Sequence, residues 1–87
     1  MNLQDLVYFN QLAETLIFTA TAEHFYVSQP SISMALKRLE KELDTVLIDR
    51  KRLHKNLRLT GNGEILLKHS THILQTVEQV KEEIHDL

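Results

Sequence analysis

The chain contains no cysteine, one proline and two glycines. Without cysteine there are no disulfides, no thiolate chemistry and no zinc site built on sulfur. So few turn-formers in 87 residues leave few places for turns, and a mostly helical chain is expected. No apolar run approaches the roughly 18 residues that a membrane span needs, so no membrane partner is expected. No Lys or Arg precedes Lys37, which does not fit the basic start of a secretory leader. What is present is ordinary globular composition, 43% hydrophobic and 25% charged, which excludes a disordered tail and a fibrous repeat. The length suits one small domain with a thin core, burying about two-thirds of its unfolded surface. These features together read as a soluble, cytoplasmic domain.

A net charge of −2 looks unpromising for a nucleic-acid binder, but the sum hides a pattern. Residues 1–27 carry three acids and no Lys or Arg. Residues 28–58 carry eight bases (Lys37, Arg38, Lys41, Arg50, Lys51, Arg52, Lys55 and Arg58) against four acids, a balance of +4. Residues 59–87 return to −3, with five acids against Lys68 and Lys81. A solvated charged surface would account for such a run. Segregation of this kind is also the electrostatic footprint of a phosphate binder.

Local signals order the elements. Asn2 is placed to cap a first helix, with Asp5 near its positive end, and Leu3, Leu6, Val7, Phe9, Leu12, Ala13 and Leu16 follow helical spacing. Ile17-Phe18 interrupts it, and Thr19 is a candidate cap for a short second helix ending near Phe25. Tyr26-Val27 makes a turn. Ser28 then caps a third helix with Pro30 in its first turn, where the missing N–H costs nothing. Ile32, Ala35, Leu36, Leu39 and Leu43 form a continuous apolar stripe on that helix. Gln29, Ser33, Met34, Lys37, Arg38 and Lys41 occupy the opposite face. Asp44, tolerant of the left-handed conformation, ends it. Residues 46–50 and 56–59 read as two short strands joined by the basic loop 51–55, and Thr60 caps a long final helix.

The resulting order is mainly α: three helices, a two-stranded wing and a long C-terminal helix. This is a winged helix-turn-helix over residues 1–60, with a linker helix over 61–87. In such a unit a short bracing helix holds a second, exposed helix that enters the major groove of DNA N-terminus first. Periodicity alone allows any helical core. The basic hairpin adds weight to DNA binding, because Arg50, Lys51, Arg52, Lys55 and Arg58 can reach phosphates beside the groove.

The stretch Leu12-Ala13-Glu14, Phe18-Thr19, Ala22-Glu23 and Val27-Ser28-Gln29-Pro30-Ser31-Ile32-Ser33 resembles the N-terminal domain of bacterial LysR-type transcriptional regulators. So do Leu36-x-x-Leu39-Glu40-x-x-Leu43, Leu47-Ile48-Asp49-Arg50 and Leu59-Thr60-x-x-Gly63-Glu64. The resemblance covers essentially the whole chain. It implies a recognition helix starting at Ser28, with Gln29, Pro30, Ser33 and Met34 reading bases. Gln29 suits the N6/N7 edge of adenine, Ser33 suits any base, and Met34 suits a thymine methyl. Thr19, Ser28, Ser31, Lys37, Arg38, Arg50, Arg52 and Lys55 would hold phosphates. Leu16-Ile17 stands where the family often has Gly-Ser, Thr21 where alanine is common, Asp44 where glycine is frequent and Met34 where many members carry arginine. These departures bear on the operator sequence and leave the fold untouched.

Leu66, Ile73, Val77, Val80, Ile84 and Leu87 step by threes and fours, with Ser70 in a weak slot, which makes a heptad seam for a homodimer. Ile65 and Leu67 are expected to pack on their own domain instead. The resemblance implies a partly palindromic double-stranded operator and a small-molecule effector sensed by a C-terminal domain outside this fragment. His69 and His72 share a helix face, yet without cysteine or a third convergent ligand a metal site is not expected. His54 fits better near phosphate, when protonated. No cofactor is expected, and no nucleophile–base–orienter arrangement or glycine-rich phosphate loop is legible, so an enzyme is not expected either. The competing class is a small dimeric helical module whose basic face binds protein.

Overall fold

The computed structural model describes residues 1–50 and 57–86. Its elements are α1 (Leu3–Thr15), α2 (Phe18–Phe25), α3 (Gln29–Leu43), β1 (Ile48–Asp49), β2 (Arg58–Leu59) and α4 (Gly61–His85). The strands pair antiparallel, Ile48 opposite Leu59 and Asp49 opposite Arg58. This is the expected mainly helical winged helix-turn-helix with a long final helix. Its extents of 53 × 26 × 19 Å reflect α4 reaching beyond the rest of the domain.

The helix ends follow from short side chains and from left-handed backbone. Asn2 Oδ1 accepts from the Asp5 N–H at 2.7 Å, and Thr60 Oγ1 accepts from the Gly63 N–H at 3.0 Å. Each satisfies a donor that has no partner inside its helix. Leu16, Tyr26 and Asp44, with φ of 55°, 56° and 50°, turn the chain out of α1, α2 and α3. Thr19 is no cap. Helix α2 starts at Phe18, two residues earlier than a Thr19 cap would place it, after an extended Ile17, and Thr19 lies exposed in its first turn. The hydroxyl that matters there is that of Thr21, which is fully buried and donates to the Ile17 carbonyl at 2.9 Å. Thr15 Oγ1 lies 2.8 Å from the Thr21 hydroxyl and joins the same network. Ser28 does occupy the cap position of α3, but its hydroxyl meets Ser31 Oγ at 3.0 Å and no backbone N–H.

One core joins all the helices and the wing: Leu6, Phe9, Leu12 and Ala13 of α1, Ala22 of α2, Ile32, Leu36 and Leu39 of α3, Leu47, Ile48 and Leu66. The stripe expected on α3 is therefore buried, except that Leu43 at its end is 38% exposed. The strands are shorter than the sequence suggests because Leu47 directs its N–H to Glu40 Oε2 at 2.8 Å, away from any strand. Its carbonyl accepts the Thr60 N–H at 3.0 Å, which brings the start of α4 against the wing.

The seam of α4 begins later than the heptad spacing implies. Leu66 is buried in its own domain's core and is not free for a partner. Ser70 is buried too, donating its hydroxyl to Asn10 Oδ1 on α1, so the weak slot is an intradomain contact. Leu67 packs on the core as expected, whereas Ile65 is 59% exposed. Beyond that point the domain runs out: Ile73, Val80 and Ile84 are exposed and Val77 is half-buried. Leu87 lies outside the described residues.

Candidate nucleic-acid interface

Burying one face of α3 fixes what the other presents. Gln29, Pro30, Ser33, Met34 and Lys37 lie side by side along the outward face. A neighbouring depression is formed by Phe18, Gln29, Ser33, Leu36, Lys37 and Arg50, so the start of α2 and the wing border the same surface. The four side chains expected to read bases thus lie together on one accessible ridge, with Met34 more than half exposed.

The residues expected to hold phosphates are less uniform. Thr19, Ser28 and Lys37 are exposed and Ser31 is half-buried. Arg50 is fixed: its Nη2 donates to Glu40 Oε1 at 2.9 Å. The other oxygen of Glu40 takes the Leu47 N–H, so a single carboxylate ties the wing's arginine and the approach to the wing's first strand to α3. Arg38 is fixed from the other side. Its Nε and Nη2 donate to the two carboxylate oxygens of Asp5 at 3.0 and 2.8 Å. Asp5 is 1% exposed, and a buried carboxylate needs such a paired fork. The hydrogen bond to Asp5 also raises the Arg38 pKa above its already high ordinary value. Arg38 consequently bolts α3 to α1, while half of its side chain still faces solvent. Arg52, Lys55 and His54 lie outside the described residues.

Sequence reasoning assigned neither Asp5 nor Glu40 a role in placing these arginines. A signal existed for Asp5, which shares a helix face with Phe9 and Leu12. A charge inside an apolar stripe calls for a partner, although nothing local says that the partner is 33 residues away. For Glu40 the sequence offers no comparable sign. His69 and His72 are exposed, and no three His, Cys, Asp or Glu side chains cluster as a metal site among the described residues.

Residues 3–64 match the family described as bacterial regulatory helix-turn-helix protein, lysR family. The chain belongs to the LysR family. Curated relatives extend the match to nearly the full chain. The malolactic fermentation system transcriptional activator of Lactococcus lactis is 44% identical over 98% of this chain and 29% of its own length. The HTH-type transcriptional regulator BsdA of Bacillus subtilis is 36% identical over 100% of this chain and 30% of its own. The chain thus spans less than a third of these LysR relatives. Among solved structures, the CbnR DBD in complex with DNA superposes with a TM-score of 0.89 at 30% identity, covering 99% of this chain and 97% of that one. The BenM DBD bound to benA site 1 DNA gives 0.91 at 27% identity, covering 99% and 98%.

Proposed function

We propose that this chain is the sequence-specific DNA-binding domain of a LysR-type transcriptional regulator, working as a homodimer on a duplex operator with inverted half-sites. The reading assigns it no reaction and no cofactor. The observation that carries it is the outward face of α3, where Gln29, Pro30, Ser33, Met34 and Lys37 lie together while the helix's opposite face is buried. The DNA complexes of CbnR and BenM, which share the fold over almost the whole chain, support it.

The chemistry of the ridge follows residue by residue. The Gln29 amide offers a donor and an acceptor in one plane, matching N7 and the N6 amine of adenine in the major groove. Ser33 can donate or accept, so it fits either base of a pair. Met34 presents a flexible apolar arm to a thymine methyl. Around this ridge, Thr19, Ser28, Ser31 and Lys37 supply hydroxyls and a cation to the sugar-phosphate backbone, which sets register without reading sequence. Arg38 and Arg50 do the same, each already oriented by a carboxylate, and the sequence assigns Arg52 and Lys55 as further phosphate contacts. On α4, the stripe of exposed Ile73, Val80 and Ile84 with half-buried Val77 meets its copy and sets the spacing of two α3 helices.

The expected result for base readout is specific. Gln29→Ala should cost about 1–3 kcal/mol on a duplex selected for tight binding and much less on random DNA of equal length. Fluorescence anisotropy on both duplexes measures it. Equal losses on the two would make Gln29 a backbone contact and remove the proposed reading of adenine.

A further inference from the structure

Among the described residues three occupy the left-handed region, Leu16, Tyr26 and Asp44, and two of them have an evident reason. Leu16 recovers part of the cost by tucking its side chain half into the domain, and Asp44 is of a type that tolerates the conformation. Tyr26 has neither compensation. Its backbone is locked at φ 56° by N–H bonds from Tyr26 and Val27 back to Glu23 and Ala22, at 3.2 and 3.0 Å. Its side chain is 96% exposed. Among the described residues the phenol has no hydrogen-bond partner and the ring has no aromatic neighbour. A bulky residue with positive φ and no compensating packing is strained, and strain of this kind collects where a structure serves binding.

The position of the turn says what could be bound. Tyr26 lies two residues before Ser28, at the end of α3 that leads into the groove, and Ser28, Gln29 and Pro30 after it are all exposed. A ring standing out from this corner lies beside the recognition helix, not on its ridge. With α3 in the major groove as proposed, a side chain there would meet the wall of the groove, which is sugar and phosphate. Tyrosine suits that wall, because its O–H donates to a phosphate oxygen while the ring covers the adjoining sugar. We infer that Tyr26 is a DNA-backbone contact that positions the start of α3, an inference that rests on the proposed role of α3 as the recognition helix. Because tyrosine is uncharged, the contact contributes affinity without releasing a counterion.

Two variants of the 87-residue chain test it. The probes are a duplex that the wild type selects from a random pool and a random duplex of the same length. Tyr26→Phe removes only the O–H and should weaken binding to both duplexes by about fivefold, the size of one neutral hydrogen bond. Tyr26→Gly should weaken both by about tenfold and yet raise the melting temperature, since glycine adopts the turn without strain. The slope of log affinity against log salt should stay at the wild-type value in both variants. Tyr26→Phe binding as tightly as the wild type overturns the phenol contact, whatever the glycine variant does. A loss confined to the selected duplex overturns it as well, because Tyr26 would then be reading sequence. Failure of the wild type itself to bind either duplex would instead remove the DNA reading on which the inference rests.

Discussion

Gly63→Ala should melt roughly 10–20 °C below the wild type, a loss of about 2–3 kcal/mol, when both are heated at the same protein concentration. The cause is steric and local. A Cβ at Gly63 would lie 2.1 Å from the carbonyl oxygen of Leu47, and 3.1 Å from both its carbonyl carbon and Leu59 Cδ2. That oxygen cannot yield easily, since it accepts the Thr60 N–H and belongs to a fully buried residue of the core. Relief requires the first turn of α4 to lift off the wing, which also strains the Thr60 cap on the Gly63 N–H. Gly61, two residues earlier, has nothing within 4 Å of the point a Cβ would occupy. Gly61→Ala should therefore be neutral or stabilise by up to about 1 kcal/mol through helix propensity. Opposite signs for two glycines in one motif separate close approach from mere flexibility. A Gly63→Ala variant that melts with the wild type would mean that the wing and α4 are not packed this closely.

The second large effect concerns assembly. Val80 and Ile84 are 51% and 61% exposed, and neither belongs to the domain's core. Their side chains lie on the same stripe as Ile73 and Val77, on a helix that has outrun the domain supporting it. In the proposed homodimer, pairing two copies would cover the stripe and by two-fold symmetry present two copies of α3 to one face of a duplex. Val80→Asp combined with Ile84→Asp places charge in that seam without touching a buried residue. Sedimentation should then report a folded monomer whose helical content and core are intact. Affinity for a duplex with two half-sites should fall by about 100-fold or more, because the second half-site is no longer engaged intramolecularly. A variant that stays dimeric would put the interface elsewhere on the molecule.

What was legible in the sequence was what depends on near neighbours. The stripe from Ile32 to Leu39 declares itself by spacing, Asn2 and Thr60 declare helix starts by side-chain chemistry within three residues, and Asp44 declares a helix end by its tolerance of the left-handed backbone. The outward ridge of Gln29, Ser33 and Met34 follows at once, since burying one face of a helix exposes the other. What was not legible depends on pairings across the chain. Ser70 reads as a weak seam position until it meets Asn10, 60 residues away, and its neighbour Leu66 turns inward with it. Arg38 reads as a free cation until Asp5 claims two of its donors. Thr19 looks like a cap because hydroxyls favour that position, but the backbone there is served by Thr15 and Thr21. For Ser70 and Arg38 a side chain with several possible partners takes one that only the tertiary fold brings near, whereas at Thr19 neighbouring hydroxyls compete locally for the backbone.

Selection of duplexes from a random pool by the 87-residue chain tests the central claim most directly. If α3 reads bases and α4 pairs two copies, the recovered duplexes should converge on a short sequence repeated in inverted orientation. The two copies should be centred about one helical turn, or a multiple of it, apart. Their affinity should fall steeply as salt is raised. Recovery of no duplex, or a pool that stays random after repeated rounds, would contradict the account.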